Sequence, residues 1–463
     1  MNIKAINQFW TKIKNNFIAS QLSFASCLLI FISSLLLFIF SLPDVIALRK
    51  LLLLIAFLIA FGQFWQVLQK KPKPLLHTVA ILLFLQIWML VISGFISDQP
   101  MASLSEWKGQ WLPAFMSFAI GIGLANTLMQ SKLKHPRIVV AMSILVPITI
   151  YLCANAVVVI HDMIFTDTFP TQQSGLSDHK ANVGYLIALL EPILIAEMLG
   201  RLFKGKSLLP IPGWLVTIIF LLAIFALLTA SARNGIILML MALVMGAVMM
   251  YSEIQKAYPL RRIFAFIAAT AIGLSALVFI SYRTDPRWQN FIETVPLAWN
   301  IDRNLIWLNG DGTDLPVTSN GMKVDASAYY RIAWAHEGWR MLMAHPWGME
   351  MSRYTFHTLV LDKFGHAGMA HSHNSWIDLG LEIGIPALLL WGLILLIMAK
   401  FGWQKWQTQK DPLGLALTIL VIMFAVRGLL DSIFRDHEIE QFMLVAGLLF
   451  STLSFGTQIK RKL

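Results

Sequence analysis

The chain has 463 residues, of which 57% are hydrophobic and 13% charged, with a mean hydropathy of +0.68. A soluble globule carries about a quarter charged residues, so this composition excludes one and predicts an all-α polytopic membrane protein. The net charge of +11 is spread through short segments between apolar runs, which argues against nucleic acid as a partner.

Met1 to Gln21 is polar, with Lys4, Lys12 and Lys14 ahead of an apolar run over 22–42. No small-residue cleavage site follows, so the run reads as a retained first helix. Further apolar runs lie at 51–68, 75–97, 111–130, 138–160, 183–200, 214–231, 235–252, 263–282, 375–399, 413–430 and 441–457. Each is near the roughly 20 residues that cross a hydrocarbon core, which makes about twelve transmembrane helices. Cys27 and Cys153 both fall inside these runs and point to neither a disulfide framework nor a thiolate metal site.

Every second connection is basic: Lys70, Lys71 and Lys73; Lys132, Lys134 and Arg137; Arg201, Lys204 and Lys206. The series continues through Lys256, Arg261 and Arg262, then Lys400, Lys405 and Lys410, to the tail Lys460, Arg461 and Lys462. The positive-inside rule puts these segments and both termini in the cytoplasm. The opposite connections are then extracytoplasmic, and the largest, 283–374, is inserted between spans nine and ten of a single transmembrane domain, 1–463. A connection of that length is usually functional. Within it, Tyr330, Ala333, Trp334, Trp339, Leu342 and Met343 recur at spacings near three and four, which predicts an amphipathic helix from Ala326 to Met343 that ends before His345 and Pro346.

Three constellations carry chemistry. Ser231-Ala232-Arg233-Asn234-Gly235 sits between two apolar runs with almost no loop. Arg233 is therefore held at the outer surface or in a cavity, where its planar fork suits phosphate or carboxylate; a snorkelling interfacial arginine is the bland alternative. On the loop helix, Arg331, with Arg340 and Arg353 further on, would build a cationic wall among aromatic residues, or else an ordinary solvated face. The third, Ala370-His371-Ser372-His373-Asn374, leads polar residues straight into an apolar run. Such groups are costly at membrane depth, and an imidazole is the natural proton acceptor near neutral pH. His373 and His371 are the candidate bases. Asn374, Asp378 and Glu382, spaced by four, share one helix face, and Ser375 with Asp378 reads as a weak capping box. Arg427, Asp431, Arg435, Asp436, His437 and Glu438 read as an ion-pair network. No metal site has a trusted spacing.

Together these features resemble the O-antigen ligase superfamily. They are the many spans, a long extracytoplasmic loop before a late helix, Ser-x-Arg-x-Gly at Ser231 to Gly235, Arg331 with Trp334 followed by Pro346-x-Gly348, and His373-Asn374 leading to Gly384. The superfamily includes lipopolysaccharide O-antigen ligases, O-antigen polymerases and bacterial O-linked protein oligosaccharyltransferases. The sequence departs from it at Glu350, where the pattern has glycine.

The resemblance implies a multi-pass protein of the bacterial inner membrane with its site facing the periplasm. It implies transfer of a glycan from undecaprenyl diphosphate to a hydroxyl acceptor without cofactor or metal, the acceptor being lipid A–core, a protein such as pilin, or a growing glycan. By that resemblance Arg233 and Arg331 bind the diphosphate and His373 is catalytic, with His371, Asn374, Arg340, Arg353, Asp378 and Glu382 in support. A transporter of lipid-linked sugars is the reading from another class, but it calls for charges at the bilayer midplane, whereas these cluster at the outer ends of spans.

Overall fold

The computed structural model describes residues 22–459 apart from 71, 167–174, 178, 205–206, 320, 435–436 and most of 252–290. It is helical from end to end of the described residues, with a single isolated β-bridge between Val317 and Lys323. The bundle begins with α1 (Phe24–Ile39), α2 (Ile46–Gln69) and α3 (Lys73–Val91), which runs on through a π turn at Ile92–Ile96. A short α4 (Pro100–Glu106) and a second π turn, Trp107–Trp111, lead into α5 (Leu112–Gln130). Then come α6 (Pro136–Thr166), α7 (Lys180–Lys204), α8 (Gly213–Thr229) and α9 (Arg233–Met249).

The long connection supplies α10 (Phe291–Trp299), α11 (Ala326–Ala344) and α12 (Thr355–Phe364). The chain returns to the bundle with α13 (Ser375–Gln409), α14 (Pro412–Arg427) and α15 (His437–Ile459). Seven helices of this set are long and apolar enough to cross a membrane, and four shorter apolar ones, α1, α8, α9 and α14, accompany them. The expected ninth span, 263–282, falls largely outside the described residues.

Local chemistry fixes the ends that matter. Pro412 opens α14 where an N–H has no partner to lose, and the Asp411 side chain accepts from Leu413 N at 3.1 Å. Asp325 caps α11 by accepting from Ala328 N at 2.7 Å, and Gly365 closes α12 in the left-handed conformation. The α11 boundaries match those expected from its apolar spacing to within a residue.

Two cores result. One runs through the helical bundle, and a second is built in the long connection around Trp307, Tyr329, Tyr330, Trp334 and Phe356. The second reaches onto the first turns of α13 through Ile377 and Leu381, so the connection docks on that helix as a packed body.

The docking depends on a break in α13. Gly384, with φ +82° and ψ +160°, is not helical and divides α13 into 375–383 and 385–409. The turn Pro346-Trp347-Gly348 fills the gap: Met349 N donates to Leu381 O at 2.9 Å and Ile385 N donates to Pro346 O at 2.8 Å. Trp88 Nε1 also donates to Ile383 O at 2.8 Å. Carbonyls and amides that an unbroken helix would have paired internally thus find partners elsewhere. Glycine is required on both sides of this crossing. A Cβ on Gly348, at φ +84°, would lie 2.6 Å from Gly384 N, and one on Gly384 would lie 2.5 Å from the Trp347 carbonyl carbon.

The break also corrects the reading of the polar face. Asp378 and Glu382 do not enter the long apolar stretch of α13; they sit on its short first segment, beside the connecting body.

Candidate functional site

Where the connecting body meets the bundle, a cleft of about 590 Å³ opens. Arg233 and Asn234 line it from the first turn of α9, with Ile237 and Met241 one and two turns further along. Arg331 lines it from α11, on the face that also carries Ser327, Ala328 and Ala335. His373 lines it from the turn before α13. Three residues 98 and 42 positions apart in sequence, singled out there separately, therefore share one cavity.

Each is set by its backbone. Arg233 opens α9 directly after a tight turn in which Ser231 adopts φ +49°, so its side chain leaves at the helix end, where the N-terminal dipole also favours an anion. The Asp325 carboxylate that caps α11 stands 3.5 Å from Arg233 Nη1, tying the start of α9 to the helix that carries Arg331. His373 adopts φ +56°, a conformation that costs an L residue about 1–2 kcal/mol and persists only where neighbours impose it.

Those neighbours belong to the turn after α14. Ser375 N donates to Gly428 O at 2.8 Å, Ser375 Oγ donates to Asp431 O at 2.7 Å and Ile433 N donates to Ser375 Oγ at 2.5 Å. Asn374 Nδ2 donates to Leu429 O at 3.3 Å. The two turns are laced together, and the lacing brings Asp431 Oδ1 to 3.7 Å from His373 Nδ1. Burial would raise the Asp431 carboxyl, but the facing His373 ring, Arg331 and Arg427 outweigh it and hold the group well below the usual carboxylate range. An ionised carboxylate therefore faces one ring nitrogen of His373.

The imidazole also packs against two aromatic rings. Trp334 stacks on it with centroids 5.4 Å apart and planes 12° apart, and Tyr330 stacks on Trp334 at 4.9 Å and 15°. Trp334 Nε1 donates to Trp307 O at 2.9 Å and the Tyr330 hydroxyl accepts from Gly312 N at 2.9 Å, so the stack is anchored in the second core. His371 also packs against His373, with centroids 4.1 Å apart and planes 41° apart.

The other expected residues have different placements. The N-cap of α13 is Asn374, whose Oδ1 accepts from Trp376 N and Ile377 N at 3.1 and 3.2 Å, rather than Ser375 of the expected capping box. Asp378 is turned to structural use: Oδ1 accepts from Ser372 N at 2.9 Å and Oδ2 from Ser432 Oγ at 2.7 Å, which braces the His373 turn against the Asp431 turn. Glu382 is buried on the same face of α13.

Arg340 and Arg353 do not line the cleft with Arg331, so no three-arginine wall forms. Arg340 pairs with Asp302 at 2.8 Å and Arg353 with Glu106 at 3.0 Å. Glu350, at the departure from the family pattern, accepts from Ser97 Oγ at 3.3 Å and does not have the positive φ that would demand glycine. Arg427 is buried, donates to Gly184 O at 2.7 Å, lies over the Tyr185 ring at 3.9 Å and also acts on the Asp431 carboxylate, while Arg435 and Asp436 of the expected network lie outside the described residues. Among the described residues, no group of three or more His, Cys, Asp and Glu side chains is arranged to hold a metal.

Fold and cleft define a multi-pass membrane protein with a cationic, histidine-bearing pocket at the head of its bundle. Residues 218–392 match the family model Wzy_C, described as O-antigen ligase, so this part of the chain is similar to that family. The match holds Arg233, Arg331 and His373 and ends before Asp431. A search of curated proteins gave no match.

Proposed function

We propose that the protein is a lipid-linked glycan ligase of the bacterial inner membrane, with both termini in the cytoplasm and the cleft open to the periplasm. It transfers an oligosaccharide or polysaccharide from undecaprenyl diphosphate to a hydroxyl of lipid A–core. The observation that carries this reading is that Arg233, Arg331 and His373 line the same cleft, next to an ionised Asp431.

The chemistry follows from those groups. The acceptor oxygen attacks the anomeric carbon of the donor sugar, a new C–O bond forms and the bond from that carbon to the diphosphate oxygen breaks. The leaving diphosphate keeps the electron pair, and Arg233 and Arg331 meet the charge that develops on it. The acceptor proton passes to His373, whose Nδ1 faces Asp431, so that Nε2 is the base and the carboxylate stabilises the imidazolium that forms. A lipid diphosphate is already a good leaving group, so fixed cations and one base suffice.

Ile237 and Met241 extend the cleft with apolar surface below Arg233, on the side from which a polyprenyl chain would arrive. Replacing His373 with alanine should cut transfer by about 10²–10⁴-fold, the usual worth of a positioned base, with the protein still inserted in the membrane. Arg233→Ala should cut it by about 10²–10³-fold. Full transfer by both variants would reject the assignment. Deleting the gene and examining lipopolysaccharide and glycoproteins separates the acceptors. Loss of capped lipopolysaccharide with unchanged pilin and other glycoproteins supports the ligase, and the reverse result supports a protein oligosaccharyltransferase instead.

A further inference from the structure

Trp299, the last residue of α10, lines the cleft and keeps 60% of its surface exposed. One face of its ring is covered: His336 of α11 stacks on it with centroids 4.3 Å apart and planes 13° apart. His336 Nδ1 lies 2.9 Å from Trp299 O, and since a carbonyl only accepts, that nitrogen carries the hydrogen and clamps ring and backbone together. The result is an exposed indole that lines the cleft and has one face backed by an imidazole.

Its place along α11 matters. Asp325, beside Arg233, begins α11; Arg331 follows; Ala335 and His336 come about one turn, or 6–7 Å, beyond Arg331. The cleft thus presents, in order, apolar residues, two arginines and then a backed aromatic face. Exposed tryptophan ordinarily belongs to membrane interfaces, but the rest of the apolar face of α10 divides into two groups. Ile292, 83% exposed, is not a cleft residue, whereas Phe291 and Trp299 are, and of these two Trp299 is the one backed by an imidazole. An anchoring role would fall on Ile292 at least as heavily.

We propose that the Trp299–His336 pair is a sugar-stacking subsite, which receives the apolar face of the pyranose attached to the diphosphate and so holds its anomeric carbon in line with the acceptor. This subsite rests on the reading of the cleft as a lipid-diphosphate site.

The test uses the full-length protein in detergent and two probes, undecaprenyl diphosphate and undecaprenyl diphosphate carrying one N-acetylhexosamine, with dissociation constants measured for each. Trp299→Ala should weaken binding of the sugar-bearing lipid by about tenfold, the size of one lost stacking contact with its buried area, and leave undecaprenyl diphosphate unchanged. Trp299→Phe should restore most of the difference, and Ile292→Ser should change neither constant. Equal weakening for both lipids, or the same loss in Ile292→Ser, would make Trp299 a membrane anchor and overturn the subsite. No change for either lipid in Trp299→Ala would overturn it as well. If the unaltered protein binds neither lipid, or Arg331→Ala binds both as well as it does, the lipid-diphosphate reading fails and the subsite with it.

Discussion

His373 is held in an uncommon backbone conformation, beside two aromatic neighbours and 3.7 Å from an ionised carboxylate. In the proposed mechanism Asp431 is a positioning residue, and its removal should be felt through the imidazole. Asp431→Asn keeps the shape but loses the charge, and the expected result is a fall of about 10–100-fold in kcat with little change in donor KM. Because the folded-state carboxyl lies below its ordinary value of about 3.9, its contribution to stability is complete above that pH and is lost progressively as pH falls from there towards the lower, folded value. Thermal unfolding followed from pH 3 to 8 should then show a weaker acid decline in Asp431→Asn than in the parent, and coincident slopes from pH 5 upward. His373 was legible in the sequence because polar residues stood directly before an apolar run. Asp431 was visible only as one member of a charged cluster, since a pairing across 58 residues leaves no periodic trace. Arg340 and Arg353 failed as partners of Arg331 for the same reason: the carboxylates that hold them, Asp302 and Glu106, are distant in the chain.

At the scale of elements, the extended approach of the connecting body to α13 depends on the glycine pair at 348 and 384. Gly384→Ala adds a methyl 2.5 Å from the Trp347 carbonyl carbon and forces alanine to φ +82°, so overpacking and strain act together. A loss of about 2–4 kcal/mol is expected, read as a lower melting temperature and as faster proteolysis within the long connection. Gly312→Ala is the control: φ is +80° but nothing lies within 4 Å of the added carbon, so only strain of about 1 kcal/mol remains. Equal effects of the two substitutions would show that the crossing does not hold the docked body. The sequence carried both halves of this device, as Pro346-x-Gly348 and as Gly384, but not their contact. Spacing predicted α11 well because its apolar positions recur at helical period, and it read α13 as one run because the apolar residues continue through Gly384 and Pro386, where the helix in fact breaks.

Across the whole molecule, the apolar ladder was the most legible feature, because runs of about 20 residues announce themselves without any tertiary information. Seven helices reach the length and composition needed to cross a membrane, and the shorter four fall at expected spans. What the ladder could not convey is that the connecting segment has a core of its own, and that the cleft lies at the seam between that core and the bundle. Arg233, Arg331, His373 and Asp431 come from both sides of this seam, so in the proposed mechanism transfer depends on docking as well as on the side chains themselves. The most direct measurement is single-turnover transfer by purified protein from an undecaprenyl-diphosphate-linked glycan to lipid A–core, comparing the parent with His373→Ala at saturating donor. The account predicts product from the parent, a rate lower by at least about 100-fold in the variant and unchanged donor affinity. Transfer by His373→Ala at the parental rate would contradict it.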